Sequence, residues 1–162
     1  MNRTTISYTD GHIYEFSPNL DPIYTASNGE SLTFETIDSL NKEIQSNEDL
    51  LHSIPDEVNA ATGPVAVEDA EPGDVLKVDI EAIRVNEDQG RVVTAPEFGL
   101  LQDHEEIEHP FTRVTPVDES AESIQFNDID IPIKPVIGTI GVATESEVIP
   151  TLTPHDHGGN LD

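Results

Sequence analysis

Turn signals cut this chain into short runs, and short runs are what an all-β fold needs. Asp10-Gly11, Asn28-Gly29, Gly63-Pro64 and Pro72-Gly73 each stand between segments rich in Val, Ile, Thr, Tyr and Phe. That is the pattern of strands closed by tight turns. Ile6 to Phe16 reads as a hairpin around Thr9-Asp10-Gly11-His12. Ile23 to Ala26 and Ser31 to Ile37 read as the next strands, with Asp38 closing the second. Val65 to Val67 is a short strand, and Glu71-Pro72-Gly73-Asp74 suits a type II turn.

Val75 to Val85 alternates most cleanly. Leu76, Val78, Ile80 and Ala82 share one parity, while Lys77, Asp79 and Glu81 take the other. This predicts a half-buried strand. Further strands are expected at 92–94, 114–117, 123–133 and in the glycine-spaced run 135–142, with a loop over 96–113. Residues 39–54 break the pattern. Leu40, Ile44, Leu51 and Ile54 have partial helical spacing, so one short helix or a loop is expected there, ended by Pro55. The fold class that follows is mainly β, an all-β sandwich or barrel built from about eight to ten short strands.

The chain has 162 residues, the length of a single domain spanning 1–162. It contains no Cys, which excludes disulfides, thiolate metal sites and a cysteine nucleophile. No apolar run approaches the roughly 20 residues needed to span a bilayer. The first residues lack a signal-peptide core, which points to the cytoplasm. Net charge is −26, from 33 acidic residues against 7 Lys plus Arg. Nucleic acid and anionic membranes are therefore poor partners. The clear strand patterns argue against disorder, the ordinary reading of so acidic a chain. Carboxylates scattered through strands and turns fit a halophilic surface better than an acidic tail.

The richest cluster of chemically useful side chains is Pro154-His155-Asp156-His157-Gly158-Gly159-Asn160-Leu161-Asp162. Neutral imidazole is a common metal ligand, and carboxylates share such sites. On an extended strand His155 and His157 would point the same way, and the glycine pair allows close backbone approach. The competing reading is an exposed polar turn or residual expression histidines. Asp38 is by itself a turn or helix cap, with Ser39-Leu40 following; at a strand end it would also suit a general base or metal ligand. His104, Glu105, Glu106, Glu108 and His109 match no strict zinc spacing and read as a solvated loop. Serine-hydrolase, P-loop and dinucleotide fingerprints are absent from the sequence.

Three segments in order resemble the acetamidase/formamidase family. They are Phe34-Glu35-Thr36-Ile37-Asp38; the run from Thr62-Gly63-Pro64 through Glu71-Pro72-Gly73-Asp74 into Val75–Ile80; and Ile137–Val142 followed by Thr153-Pro154 and His157-Gly158-Gly159-Asn160-Leu161-Asp162. The resemblance implies a β-rich fold with a jelly-roll-like sandwich or barrel elements, and an amidase that hydrolyses small linear amides such as formamide or acetamide. It implies catalytic positions at Asp38, His157, Asn160 and Asp162. A divalent metal, zinc or calcium, would be held by Asp38, His157 and His155. Family members tend to carry glycine where this chain has His155-Asp156.

The family's chains also run well past the position of Asp162, so the ending suggests a chain cut short. Association with a separate C-terminal half, or a homo-oligomer, is expected. The other reading is a catalytically inactive remnant, or a small β-domain that only binds a metal or partner. The charge makes a direct prediction. At molar salt the Debye length falls to about 3 Å and screens the surface carboxylates. Dialysis into millimolar salt is expected to loosen the fold, and an unchanged circular dichroism spectrum would refute the halophilic reading.

Overall fold

The computed structural model describes residues 3–118 and 122–161. Its strands, in chain order, are β1 (Thr4–Ile6), β2 (His12–Ile13), β3 (Glu15–Phe16), β4 (Tyr24–Ala26), β5 (Leu32–Phe34), β6 (Ala61–Thr62), β7 (Val65–Val67), β8 (Gln89–Thr94), β9 (Phe111–Asp118), β10 (Ser123–Phe126), β11 (Ile129–Pro132), β12 (Thr139–Gly141), β13 (Ile149–Pro150) and β14 (Gly158–Asn160). The fold is mainly β, as the turn spacing predicts, and no helix occurs among the described residues. Among the described residues no helix is long and apolar enough to cross a membrane.

The chain divides into two compact units. The first comprises Met1–Asn41, Glu57–Glu81 and Ile137–Asp162; the second comprises Lys42–Asp56 and Ala82–Val136. The second is the more regular. Its sheet runs β11-β10-β9-β8, all antiparallel. Asn127, with a φ of 54°, makes the turn between β10 and β11. Strand β9 begins at Phe111, three residues before the expected start, because Thr94 opposite needs Phe111 as its ladder partner.

The first unit is built from two-stranded pairings of distant segments. Strand β1 pairs β5 and β4 pairs β7, both parallel; β2 pairs β6, β3 pairs β13 and β12 pairs β14, all antiparallel. This corrects the expected hairpin over Ile6–Phe16. The turn exists, with the Asp10 N–H on the Ser7 carbonyl at 2.9 Å. Its two arms, however, pair with residues 32–34 and 61–62 and not with each other. Turn chemistry is local, but the partner of a strand is chosen by burial, which a hairpin signal does not report.

The buried residues of the first unit include Ile6, Phe16, Ala26 and Val58, together with Thr151 at 0% exposure. Thr151 is anchored by its N–H to the Tyr14 carbonyl at 2.9 Å. Its hydroxyl lies 3.2 Å from the Tyr14 carbonyl and 3.3 Å from that of Val58, either of which accepts its proton. A buried hydroxyl without such partners would be costly. The Glu71–Asp74 turn forms as expected, with Gly73 at φ 100° and the Asp74 N–H on the Glu71 carbonyl at 3.1 Å. The predicted strand over 75–85 has no ladder partner among the described residues.

Residues 39–54 form turns, resolving the helix-or-loop alternative in favour of the loop. Asn41 and Lys42 take φ of 54° and 63°, which no right-handed helix accommodates. Ile44 and Leu51 are still buried, in the second unit. Helical spacing therefore marked apolar contacts correctly and backbone geometry incorrectly. Here the backbone is held by Asp49, whose carboxylate accepts the N–H groups of Gln45 and Ser46, each at 2.8 Å. The Gln45 bond first, then that of Ser46, holds the Asp49 carboxyl below the ordinary aspartate range. A lowered folded value means the stabilisation is present above the unfolded pKa and disappears as pH falls through the folded one. The Gln45 and Ser46 amide resonances should therefore titrate together, with a midpoint below that of an aspartate in an unfolded peptide. Asp49→Asn should abolish that titration.

Candidate active-site hairpin

The polar cluster at the end of the first unit is shaped by a tight reversal. His155 and Gly158 exchange backbone hydrogen bonds in both directions, each at 2.9 Å, leaving Asp156 and His157 at the tip. The chain then enters β14 and runs antiparallel to β12, with Thr139 opposite Asn160, Ile140 opposite Gly159 and Gly141 opposite Gly158. The ladder extends at both ends. The Val142 N–H donates to the His157 carbonyl at 2.9 Å, and the Leu161 N–H donates to the Gly138 carbonyl at 2.7 Å.

Glycine is required in this ladder. Gly158 and Gly159 have φ of 110° and 95°, in the region L side chains rarely adopt. A Cβ on Gly159 would overlap the Thr153 carbonyl oxygen, and one on Gly158 the Ile140 carbonyl oxygen. Gly141 serves by closeness: a Cβ there would stand 2.8 Å from the His157 carbonyl oxygen and 3.0 Å from the Phe16 ring.

That closeness places the His157 ring 4.8 Å from Phe16, tilted by 57°, and 6.1 Å from the His155 ring in a stacked arrangement of 26°. The two imidazoles are together, as their spacing predicts, although a turn and not a strand brings them there. Both ring nitrogens of His157 are buried without a hydrogen-bond partner. Buried polar atoms are nearly always satisfied, so these two nitrogens are available to a water or a ligand, as are those of His109 in the second unit. Phe16 carries no chemical signal in the sequence. Its role as the wall behind His157 emerges only from the pairing of β3 with β13.

Asp38 lies after β5 and is half-buried. Its Oδ1 accepts the Leu40 N–H at 3.0 Å, and its carbonyl accepts the Asn41 N–H at 3.0 Å. This is the capping geometry its neighbours predict, expressed as a turn because no helix follows. Since neither His157 nitrogen is bonded, Asp38 and Asn160 make no hydrogen bond to that ring. Asn160 is half-buried on β14. Asp162 lies outside the described residues.

Asp38, His155 and His157 are not brought together as a metal triad. Among the described residues, no three His, Asp or Glu groups gather where they could hold a metal ion. A catalytic zinc takes three protein ligands and calcium six to eight oxygens, so the described residues alone do not fit either ion. The acidic loop of the second unit is exposed from His104 to Glu106, and the His104 Nδ1 accepts the Glu106 N–H at 3.4 Å. His109 is half-buried, with both ring nitrogens unpartnered.

A mainly β unit ending in a His-Gly-Gly-Asn hairpin defines the class of protein to which the chain compares. Residues 4–161 match the Acetamidase/Formamidase family. The chain belongs to that family. Among solved structures it is similar to a predicted acetamidase/formamidase from the thermophile Thermoanaerobacter tengcongensis, at 37% identity and a TM-score of 0.87, covering 98% of this chain and 52% of that one. It is also similar to an acetamidase from Bacillus halodurans, at 31% identity and a TM-score of 0.82, covering 98% and 52%. An acetamidase from Yersinia enterocolitica follows at 28% identity and 0.83, covering 99% and 52%. The chain thus spans about half the length of these relatives. Among curated proteins none matches.

The ladder yields a stability test with an internal control. Gly159→Ala combines a positive φ with overlap of a carbonyl oxygen and should destabilise the fold by about 3 kcal/mol. Gly29→Ala, at φ 80° with nothing within 4 Å of its Cβ position, should cost about 1 kcal/mol. Urea unfolding at molar salt measures both.

Proposed function

We infer that this chain contributes the His157 hairpin to an amidase that hydrolyses small linear amides such as formamide and acetamide. The observation that carries the reading is the half-buried His157, whose two ring nitrogens are buried and unpartnered, in a chain of the acetamidase/formamidase family. The reaction adds water to the amide carbonyl, forming a C–O bond, and then breaks the C–N bond to release carboxylate and ammonia. It needs a group that takes a proton from water and returns one to the departing nitrogen. An imidazole with free nitrogens performs both transfers near neutral pH. Asn160, close by on β14, supplies an amide N–H for the developing oxyanion. Asp38 and Asp162 are the carboxylates proposed to orient the base or carry the proton.

A divalent metal, zinc or calcium, belongs to this reading only with ligands from beyond the described residues, Asp162 among them. No step above passes through it. The acidic sequence supports a protein working at high salt. The competing reading, a non-catalytic β-domain, is favoured by one observation: Asp38 is already engaged in its own turn.

Ammonia release from formamide and acetamide at molar salt, with and without a chelator, tests the proposal. His157→Ala and Asp38→Ala are each expected to lower kcat by roughly 100-fold or more. Full hydrolysis by either variant would overturn the corresponding role.

A further inference from the structure

The run Val75 to Glu81 exposes side chains whose pattern belongs inside a protein. Val75 is 95% exposed, Leu76 53%, Val78 53% and Ile80 57%. Leu76, Val78 and Ile80 share one parity, the side a sheet would bury. The other parity is already provided for. Lys77 and Asp79 form an ion pair at 3.0 Å, and Glu81 accepts hydrogen bonds from Arg3 and from the Ser31 hydroxyl. No backbone hydrogen bond joins residues 75–81 to another described residue. Alternating in sequence and without a backbone hydrogen bond on either side, this run offers free N–H and C=O groups beside exposed apolar side chains, a combination natural proteins cover or blunt.

What covers it follows from length and charge. The match takes in 98% of this chain but only 52% of the Thermoanaerobacter tengcongensis and Bacillus halodurans relatives. Those relatives therefore carry nearly as much polypeptide again outside the matched part. A second copy of this chain would bring a like charge of −26 to the same edge. We propose that Val75–Glu81 is a sheet strand whose neighbour comes from polypeptide equivalent to the unmatched part of these relatives. That partner pairs with it backbone to backbone and covers Leu76, Val78 and Ile80. The occupant is the polypeptide corresponding to the half of these relatives that this chain does not match. The proposal rests on family membership and not on the amidase chemistry, so strand pairing and ammonia release fail independently.

Hydrogen exchange at molar salt tests it, comparing this chain alone with a chimera in which it replaces the matched part of the Thermoanaerobacter tengcongensis relative. Val75–Glu81 amides should exchange freely in the chain alone and be slowed roughly 100-fold or more in the chimera. The β8–β9 amides should be slow in both and report folding. Equal, fast exchange of the run in a folded chimera overturns the proposal. So does protection in the chain alone with a dimer in sedimentation, which assigns the edge to a second copy. Should the chimera not fold, the same comparison is made between the whole relative and its matched part alone. Protection of the aligned strand only in the whole relative supports the proposal, and protection in the matched part alone overturns it.

Discussion

Ile140 and Gly159 face each other across a ladder only three residues long, and the arrangement of the candidate site depends on it. The ladder forms because glycine stands at every point where a side chain would meet backbone: Gly141 on one strand, Gly158 and Gly159 on the other. It brings the His157 carbonyl against Val142 and the His157 ring against Phe16. Phe16 in turn is held by pairing with Ile149, and Thr151, two residues further on, ties that strand to Tyr14 and Val58. The chemistry at the tip of the hairpin is therefore supported by segments from the beginning, middle and end of the unit.

Strands of two or three residues contribute few hydrogen bonds each. Their partners lie far apart in sequence, so the ordering entropy of the intervening chain must be met by burial. The first unit buries a modest apolar core and leaves the Val75–Glu81 edge uncovered. In the second unit β8, β9, β10 and β11 pair in chain order, and Asn127 turns the chain between β10 and β11. The first unit carries the site, and both units leave apolar side chains exposed, Leu76 and Ile80 in the first and Leu100 and Ile129 in the second. Such uncovered surface accords with a chain matching half the length of its solved relatives.

Much of this architecture is legible in the residues themselves. Turn residues mark the punctuation of the chain, and Asp10-Gly11, Asn28-Gly29 and Pro72-Gly73 all sit in real turns. The family resemblance, carried by Thr62-Gly63-Pro64, Glu71–Asp74 and His157–Asn160, agrees with the match over residues 4–161. The pairing of the two histidines is readable from their spacing. The wall provided by Phe16 and the turn that engages Asp38 are not, because neither has a local signature that distinguishes it from any other strand or cap residue.

Local composition settled where this chain turns, which stretches extend, and which residues carry chemistry, since those properties come from the φ preferences and polarity of each residue and its near neighbours. Partner choice was settled at a longer range. The Ile6–Phe16 arms looked like a hairpin and pair instead with residues 32–34, 61–62 and 149–150. Ile44 and Leu51 kept the spacing of a helix and are buried from a loop. Val75–Glu81 kept the alternation of a buried strand and finds no partner among the described residues. In each case alternation says that one face must be covered, but what covers it depends on which distant surface is available, and short-range sequence carries no record of that.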